Sequence, residues 1–459
     1  MLWRKLNIGQ GKWVRKWKSL LNPMRFRKST STSSRHWIPF DSDYSRVSLS
    51  APFRRLQDKA QVFPFDDNDF VRTRLTHSIE VSGIARSLGV GLENHLIKTK
   101  ELDTNKCGHI PSILSVAGLA HDIGNPPFGH FGEYSIQNFF ATHRDTIKDL
   151  TSLEQNDLLN FDGNVQGLRL LLRLGNTSKP ESYNLTFPVL AAIIKYPHDS
   201  ITGNKKGRDL GVSYKKFGFF QTEKDKYKKI DNVLGLNNRR HPLCYLLEAA
   251  DDICYSVSDI EDGIKKKTIT LDYLIDKLDD HRHDDYCKDM HETIKHMRKE
   301  NPKTRLYEQV IAQECRIFAQ QKMTNSALES FKDHYDGIMD GGFDSELLYK
   351  SDSKELLLFF KDIAKKNFAD KSILKRELAG DMVIKFLLEK FITASCSENR
   401  DLRTEDGKLY ELIPDQFKKA QTDTPYHNKK FLNILLATDF ICSMTDSYAL
   451  SLYNELRGA

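Results

Sequence analysis

An apolar helical pattern that ends in two adjacent polar residues restricts the fold of this chain most strongly. In PSILSVAGLAHD, residues Leu114, Ala117 and His121 recur at helical spacing, so the histidine falls on the apolar stripe. Asp122 follows directly, and the next residues, IGNPP, contain glycine and two prolines, which end helices. We therefore predict a buried helix that carries His121 and Asp122 to its end, where the chain turns away.

Helical spacing recurs along most of the sequence. RTRLTHSIEVSGIARSLG places His77, Val81, Ile84 and Leu88 on one stripe, and PLCYLLEAADDICYSVSDIEDGI is another long helical run. Segments in which β-branched residues alternate with polar ones are few. The pattern predicts a mainly α fold with a helical core and an additional helical C-terminal part.

Changes in composition suggest how the 459 residues are organised. Residues 1–43 form a basic arm and linker that includes the low-complexity stretch KSTSTSSR, residues 44–267 a helical core, and residues 268–459 a helical C-terminal region. We expect the arm to pack on the body or on a neighbouring subunit, with a membrane-surface helix as the alternative. Residues 203–229 carry nine lysines and arginines against three acids, and we predict a basic loop there, with a short hairpin as an option.

Cysteine usage and hydropathy limit the compartment. The seven cysteines are scattered and form no CxxC motif, which favours reduced thiols and a cytoplasmic location. No stretch of about 18 apolar residues occurs, so we expect no membrane span. The basic N-terminus lacks the continuous apolar region of a secretory signal. A net charge of +6 suits anionic ligands but does not by itself imply nucleic acid.

Histidines and acids on apolar stripes predict a metal site. A single buried histidine is usually a core residue satisfied by a hydrogen bond. His77, His121, Asp122 and the pair Asp251–Asp252 together, however, would be costly to bury without partners. A divalent cation removes that cost, and imidazole nitrogen with carboxylate oxygen suits Mn²⁺, Fe²⁺, Co²⁺, Ni²⁺ or Zn²⁺ and tolerates Mg²⁺. We expect one ion, with Mn²⁺ or Mg²⁺ favoured.

Helix register selects between the two neighbouring aspartates. Asp251 and Asp252 differ by about 100° around a helix, so only one can face the metal. Asp251 continues a row with Leu247, Tyr255 and Asp259 at intervals of four residues. We therefore predict Asp251 as the fourth ligand. Asp252 would then face a phosphate-bound water, a basic neighbour or solvent.

The order of these residues is similar to that of the HD-domain superfamily of metal-dependent phosphohydrolases. Over about 45–263, further blocks resemble the dGTP triphosphohydrolase (dGTPase) family: RRLQDKAQVFPF, RTRLTHSIEV, GLAHDIGNPPFGHFGE, FDGNVQGLRLL, IIKYP and LLEAADDICYSVSDIEDGI. Near the C-terminus, FICSMTDSYAL resembles the same family. The long basic arm and much of 268–430 depart from the family pattern. The resemblance implies hydrolysis of a deoxynucleoside triphosphate, with dGTP preferred, at the α-phosphorus to deoxynucleoside and tripolyphosphate.

The resemblance also implies roles for residues at matching motif positions. It assigns metal binding to His77, His121, Asp122 and Asp251, and catalysis to His130 and Glu133. Substrate contacts are assigned to Gln61 and Asp259 with Tyr255 at the sugar, and to Arg74, Lys195, Tyr196 and Asn164 at the phosphates. Residues three apart meet on a helical turn, and a carboxylate beside an imidazole makes a dyad that can activate water or protonate a leaving group. An exposed pair without function is the alternative for His130 and Glu133.

Two other functions are compatible with the same residues. The chain could be another HD-type nucleotide phosphohydrolase, or a nucleic-acid-responsive regulatory HD protein that uses its basic arm and loop. The family resemblance further implies a homo-oligomer, and single-stranded DNA or a dNTP as an effector at a second site.

Overall fold

The computed structural model describes residues 15–28, 38–61, 71–175, 181–204, 210–300, 305–368 and 371–458. Within these ranges the regular structure is helical, and the only β pairing is a single antiparallel bridge between Ala60 and Thr73. The predicted mainly α fold is confirmed. Every helix in the described part of the chain is too short or too polar to span a membrane.

Twenty-two α-helices are described. They are α1 (Trp17–Leu20), α2 (Pro39–Ser48), α3 (Ala51–Arg55), α4 (Arg74–Lys98), α5 (His109–Ala120), α6 (Gly129–Thr142), α7 (Arg144–Ile147), α8 (Ser152–Leu159), α9 (Gly163–Arg173), α10 (Phe187–Ile193), α11 (Lys224–Leu234), α12 (Pro242–Lys266), α13 (Leu271–Asp280), α14 (Asp285–Glu300), α15 (Arg305–Asp333), α16 (Tyr335–Asp340), α17 (Lys354–Phe368), α18 (Lys371–Cys396), α19 (Glu405–Leu412), α20 (Asp415–Thr422), α21 (Lys429–Cys442) and α22 (Asp446–Arg457).

Helix α5 forms the centre of the core. It packs against α2, α4, α10 and α12, and all of its residues except Ser112 are buried. A helix that is buried all round needs close neighbours, and glycine provides them. A Cβ at Gly118 would lie 2.6 Å from the Cα of Ser82 on α4. The small residue therefore lets α4 and α5 approach closely and brings the ends of both helices to the same site.

Local sequence explains where the site-bearing helices begin. Thr73 caps α4 through a reciprocal capping box with Thr76. Pro242 occupies the first turn of α12, where its missing N–H costs nothing, and the His241 ring accepts a hydrogen bond from the backbone N–H of Leu243. These caps fix the starts of the two long helices that carry His77 and Asp251.

The C-terminal helices pack directly on the core. Helix α12 contacts α15 and α17, while α18 contacts α6 and α21. Arg169 on α9 is buried and donates to both carboxylate oxygens of Asp439 on α21. The predicted boundaries after residues 43 and 267 stay predictions. The first falls inside α2, and the second lies just beyond the end of α12 at Lys266.

The described piece of the arm lies on the body, whereas the basic loop differs from expectation at its end. In the described piece of the arm, Trp17 is buried and its Nε1 donates to the hydroxyl of Tyr335 over 2.9 Å, so this piece packs on the body. The loop prediction for 203–229 is wrong at its end, because residues 224–229 belong to α11. Residues 205–209 lie outside the described ranges, and the rest of the loop contains no strand.

Candidate active site

The two predicted histidines and two of the predicted aspartates meet where the start of α4 and the end of α5 lie against the middle of α12. His77 lies in the first turn of α4, His121 directly follows α5, and Asp251 lies in the middle of α12. Nε2 of His121 lies 3.6 Å from Oδ1 of Asp122 and 3.5 Å from Oδ1 of Asp251. Nε2 of His77 lies 3.2 Å from the same Asp251 oxygen. Ligand atoms of His77, His121 and Asp122 all lie within 4.8 Å of one another.

The tautomer of His121 shows that the cluster fits a cation. Nδ1 of His121 lies 2.8 Å from the carbonyl oxygen of Gly118, which can only accept, so Nδ1 carries a proton. Nε2 therefore faces the carboxylates, whose charges outweigh burial and raise the pKa of His121, and among the described residues this buried atom has no hydrogen-bond partner. A lone pair facing carboxylate oxygens is unfavourable unless a positive ion lies between them. The donor set is thus that of a divalent-metal site.

Asp251 and Asp252 have different surroundings. Asp251 faces His77 and His121, whereas Oδ1 of Asp252 accepts from Nζ of Lys361 over 3.1 Å. Burial raises the pKa of Asp252 to about 7 despite that ammonium. The structure therefore turns Asp251 toward the histidines and Asp252 toward α17.

Basic side chains contact the outer oxygens of the ligand carboxylates. Nη1 of Arg74 lies 2.7 Å from Oδ2 of Asp122, and Nζ of Lys195 lies 3.0 Å from Oδ2 of Asp251. Burial would raise the pKa of Asp122, but His121 and Arg74 outweigh it and hold that pKa below its ordinary value. The pKa of Asp251 is likewise lowered, since Lys195 and the histidines outweigh burial. Both carboxyl groups are therefore ionised.

The turn after Asp122 is fixed by close backbone packing. A Cβ at Gly124 would collide with the backbone of Gly167 on α9. Phe128 adopts a left-handed conformation, with φ of 63°, just before α6 begins. Nδ2 of Asn125 donates to Oδ1 of Asp122 over 2.6 Å. Helical periodicity gives no sign of this contact, because Asn125 lies in the turn beyond α5.

His130 and Glu133 form the predicted pair. Nδ1 of His130 lies 3.3 Å from Oε2 of Glu133, and the His130 side chain is 81% exposed. Glu133 is buried, and its other oxygen accepts from the backbone N–H of Gly163 over 2.8 Å. The hydrogen bond to Glu133 raises the pKa of His130. A fixed carboxylate thus holds an accessible imidazole that can give or take a proton.

The predicted phosphate contacts beyond Arg74 and Lys195 lie in two neighbouring segments. Asn164 donates to Oδ1 of Asp162 over 2.7 Å, while Lys216 of the basic loop pairs with the other oxygen of Asp162. Tyr196 is buried, and the Arg240 guanidinium lies 5.7 Å from its ring centre. Lys216 was missed as an individual residue, because in the sequence it is one of nine basic residues of the loop.

Two of the predicted sugar contacts, Tyr255 and Asp259, lie on α12, and the third, Gln61, lies in the segment before α4. Nζ of Lys361 lies 5.5 Å from the ring centre of Tyr255, and burial raises the pKa of Asp259 to about 8. Oε1 of Gln61 is buried and has no hydrogen-bond partner among the described residues. The segment that carries Gln61 adjoins the metal cluster, since a Cβ at Gly129 would approach both Arg74 and the carbonyl oxygen of Ala60.

Comparison with known proteins agrees with this arrangement. The HD domain family matches residues 74–163, which include His77, the His121–Asp122 pair and Glu133. The fold and the site thus define a metal-dependent hydrolase of the HD-domain class.

Full-length relatives narrow the class. Two deoxyguanosinetriphosphate triphosphohydrolase-like proteins each cover 96% of this chain and 99% of their own length: that of Listeria innocua serovar 6a is 38% identical, and that of a Synechocystis species 35%. The deoxyguanosinetriphosphate triphosphohydrolase of Enterobacter sp. (strain 638) is 29% identical over 94% of this chain and 96% of its own. The chain belongs to the deoxyguanosinetriphosphate triphosphohydrolase-like family.

Proposed function

We propose that this protein hydrolyses deoxynucleoside triphosphates, with dGTP preferred, at the α-phosphorus to give deoxynucleoside and tripolyphosphate. One observation carries the proposal: Nε2 of His121, which has no hydrogen-bond partner within the described part of the chain, lies in a carboxylate cluster whose outer oxygens contact Arg74 and Lys195. A cation site beside two basic side chains suits a polyphosphate. The names of the relatives support deoxyguanosine triphosphate as the substrate.

His77, His121, Asp122 and Asp251 would hold one divalent ion. We propose Mn²⁺ or Mg²⁺, with Co²⁺, Ni²⁺, Fe²⁺ and Zn²⁺ as alternatives, because mixed nitrogen and oxygen ligands accept all of them. The bound ion supplies Lewis-acid polarisation of phosphate oxygens and helps to orient the attacking water.

The remaining polar side chains would bind and orient the phosphates. Arg74 and Lys195 are held beside the cluster by Asp122 and Asp251, and from there they can donate hydrogen bonds to phosphate oxygens. Asn164 and Tyr196 are the proposed contacts for the rest of the chain of phosphates. Fixed charges of this kind favour the transition state because they need no rearrangement as negative charge develops.

His130 and Glu133 would handle the proton. In the proposed reaction, water adds to the α-phosphorus and the bond from phosphorus to the 5′-oxygen breaks. His130, held through Nδ1 by Glu133, gives a proton from Nε2 to the departing 5′-oxygen. The raised pKa of His130 favours the protonated form that this step requires.

Tyr255, Asp259 and Gln61 would recognise the sugar. A tyrosine ring packed under C2′ leaves no room for a 2′-hydroxyl, which would select deoxyribose. Oε1 of Gln61, which has no partner among the residues that the structure describes, is suited to accept a hydrogen bond from the 3′-hydroxyl.

Self-association and cellular location are also proposals. Leu374, Leu378 and Met382 are exposed at intervals of four residues along α18, and this apolar row supports a homo-oligomer. All seven cysteines are free, which supports a reducing, cytoplasmic compartment. The basic residues of 203–229 are the support for single-stranded DNA or a second dNTP as an effector.

The direct test is product analysis. We would incubate the Mn²⁺-loaded protein with each of the four dNTPs and with GTP and identify the phosphorus products by ³¹P NMR. Tripolyphosphate and deoxynucleoside are expected, with dGTP turned over fastest and GTP left intact. Inorganic phosphate with dNDP, or pyrophosphate with dNMP, would contradict cleavage at the α-phosphorus.

A matched variant tests the metal site. His121→Ala removes one predicted ligand and should abolish both bound Mn²⁺ and turnover while circular dichroism stays helical. Activity that persisted after exhaustive chelation would exclude the metal-dependent reaction.

A further inference from the structure

We propose that Asp446 is a positioning residue that shapes the sugar and proton-transfer sides of the pocket together. Asp446 begins α22 and is only 3% exposed. Its Oδ2 accepts from the backbone N–H of Ala60 over 3.0 Å, and its Oδ1 accepts from the backbone N–H of Phe128 over 2.9 Å. One carboxylate therefore joins two segments that are far apart in the sequence.

Each of these N–H groups lies next to a proposed functional residue. Ala60 directly precedes Gln61, the proposed 3′-hydroxyl contact. Phe128 lies two residues before His130 and adopts the left-handed conformation, which is costly for a phenylalanine unless its surroundings hold it. The Asp446 carboxylate thus fixes the backbone beside Gln61 and beside His130 at once.

A second contact from the same C-terminal segment reinforces the first. Nζ of Lys59, the residue before Ala60, donates to the carbonyl oxygens of Asn125 and Cys442 over 2.6 and 2.8 Å. Asn125 in turn donates to Asp122. Residues 442–446, the segment that precedes and begins α22, therefore hold both the Gln61 segment and the turn after the metal ligands.

The function of Asp446 differs from that of an ordinary helix-start acid. Acids in a first turn stabilise the positive end of a helix. In α22, however, the capping hydrogen bond is made by Thr445, whose hydroxyl accepts from the backbone N–H of Tyr448. Both oxygens of Asp446 are directed at other segments, so its contribution lies in joining them.

The test compares Asp446→Asn with Asp415→Asn. Both residues are first in their helices, α22 and α20, and both changes remove one negative charge, but Asp415 is 96% exposed. Asparagine offers one acceptor oxygen and turns an NH₂ group toward the other N–H. Because the expected change rests on the proposed function, the substrates are dGTP and 2′,3′-dideoxyGTP.

In Asp446→Asn, kcat/KM for dGTP should fall by at least about tenfold, which corresponds to about 1.4 kcal/mol. The preference for dGTP over dideoxyGTP should fall as well, because Gln61 is displaced. Bound Mn²⁺ should be unchanged, and Asp415→Asn should behave like the wild type. An unchanged preference for dGTP over dideoxyGTP would overturn the proposal. A fall in kcat/KM that is explained entirely by a lower melting temperature of the variant would overturn it as well.

Hydrogen exchange separates this proposal from the proposed function. Peptides that contain Ala60 and Phe128 should exchange faster in Asp446→Asn than in the wild type, whether or not dNTPs are substrates. A wild type that hydrolyses no dNTP would remove the proposed function, and exchange alone would then decide the role of Asp446. If Asp446→Asn does not fold, Asp446→Glu keeps both acceptors but lengthens the side chain, and an unchanged exchange rate in that variant would overturn the proposal.

Discussion

At the scale of single residues, the carboxylates proposed as metal ligands are shared between two kinds of partner. Asp122 and Asp251 each turn one oxygen toward the histidines and the other toward a basic side chain. Because Arg74 and Lys195 contact these outer oxygens, they orient the ligands and stay close to the position where phosphates would bind. One arrangement therefore supports both metal binding and phosphate binding.

The neighbours Asp251 and Asp252 should respond differently to the same substitution. Asp251→Asn removes charge from the oxygen that faces His77 and His121, so Mn²⁺ affinity and nearly all activity should be lost. Asp252→Asn weakens only the contact with Lys361, so the metal should remain and the kinetics alone should change. Mn²⁺ titration calorimetry with initial rates measures both. The reverse result would show that the inferred α12 register is wrong for the active state.

Removing the carboxylate charge of Glu133 should change the pH dependence. The hydrogen bond and charge of Glu133 raise the pKa of His130, so Glu133→Gln should lower it. If protonated His130 is the acid, activity declines as pH rises through its pKa, and the decline in the variant should come at a lower pH than in the wild type. The measurement is kcat against pH, with exposed Glu329→Gln as the control. An unchanged decline would exclude this role for the pair.

At the scale of elements, α12 links stability to the site. It presents Asp251, Tyr255 and Asp259 at intervals of four residues, and its first turn is capped by His241. Both ring nitrogens of His241 are engaged: Nδ1 accepts from Leu243, and Nε2 donates to the carbonyl oxygen of Leu20. Only the neutral imidazole can make both bonds, so the cap requires an uncharged histidine.

Acid should therefore weaken the fold through His241. Burial lowers the pKa of His241 to about 3, whereas unfolded histidine titrates near its ordinary value of 6.5. As pH falls from 6.5 toward 3, the unfolded chain binds a proton that the folded chain refuses, and stability falls by up to about 1.4 kcal/mol per pH unit. Urea unfolding midpoints should depend less on pH in His241→Asn than in the wild type. In His427→Asn, which changes an exposed histidine, they should depend on pH as they do in the wild type. An equal pH dependence in all three would refute this cause.

Helix spacing made much of this architecture predictable, and its omissions have physical causes. The α12 row anticipated that Asp251, rather than Asp252, faces the histidines. Helix α11 was missed because its many lysines obscured the buried positions Tyr227, Ile230 and Leu234. Lys59 and Asp446 were missed for another reason: their partners lie up to 383 residues away, and periodicity reports only on local neighbours.

At the scale of the whole molecule, a buried ionic network joins α9 to the C-terminal helix α21. Arg169 on α9 contacts Asp439 on α21 and also donates to Glu223 over 2.9 Å. Gln166 donates to Asp439 as well, over 2.8 Å. The network connects α9, which begins where the segment matched to the HD domain ends, to a C-terminal helix, so the two parts depend on each other for stability.

Breaking this network should destabilise the whole protein. Arg169→Ala leaves the carboxylate of Asp439 buried without its cation, while Glu223 keeps its ion pair with Arg173, and removing one partner of a buried pair costs about 3–5 kcal/mol. The exposed pair of Arg403 with Asp401 offers a control, because the Arg403 side chain is 90% exposed and Arg403→Ala should change stability by less than about 1 kcal/mol. Thermal and urea unfolding measure both. Equal effects of the two variants would show that the network adds little.

The contact between Asp446 and Phe128 has a consequence for how the enzyme is made. The two residues are 318 positions apart, and ribosomes add about 5–20 residues per second, so roughly 16 to 64 s separate their synthesis. Once residue 251 has been added the nascent chain contains every proposed metal ligand, but until residue 446 follows, the backbone beside Gln61 and His130 has no carboxylate to hold it. The backbone beside Gln61 and His130 therefore reaches the arrangement described above only after residue 446 has emerged from the ribosome.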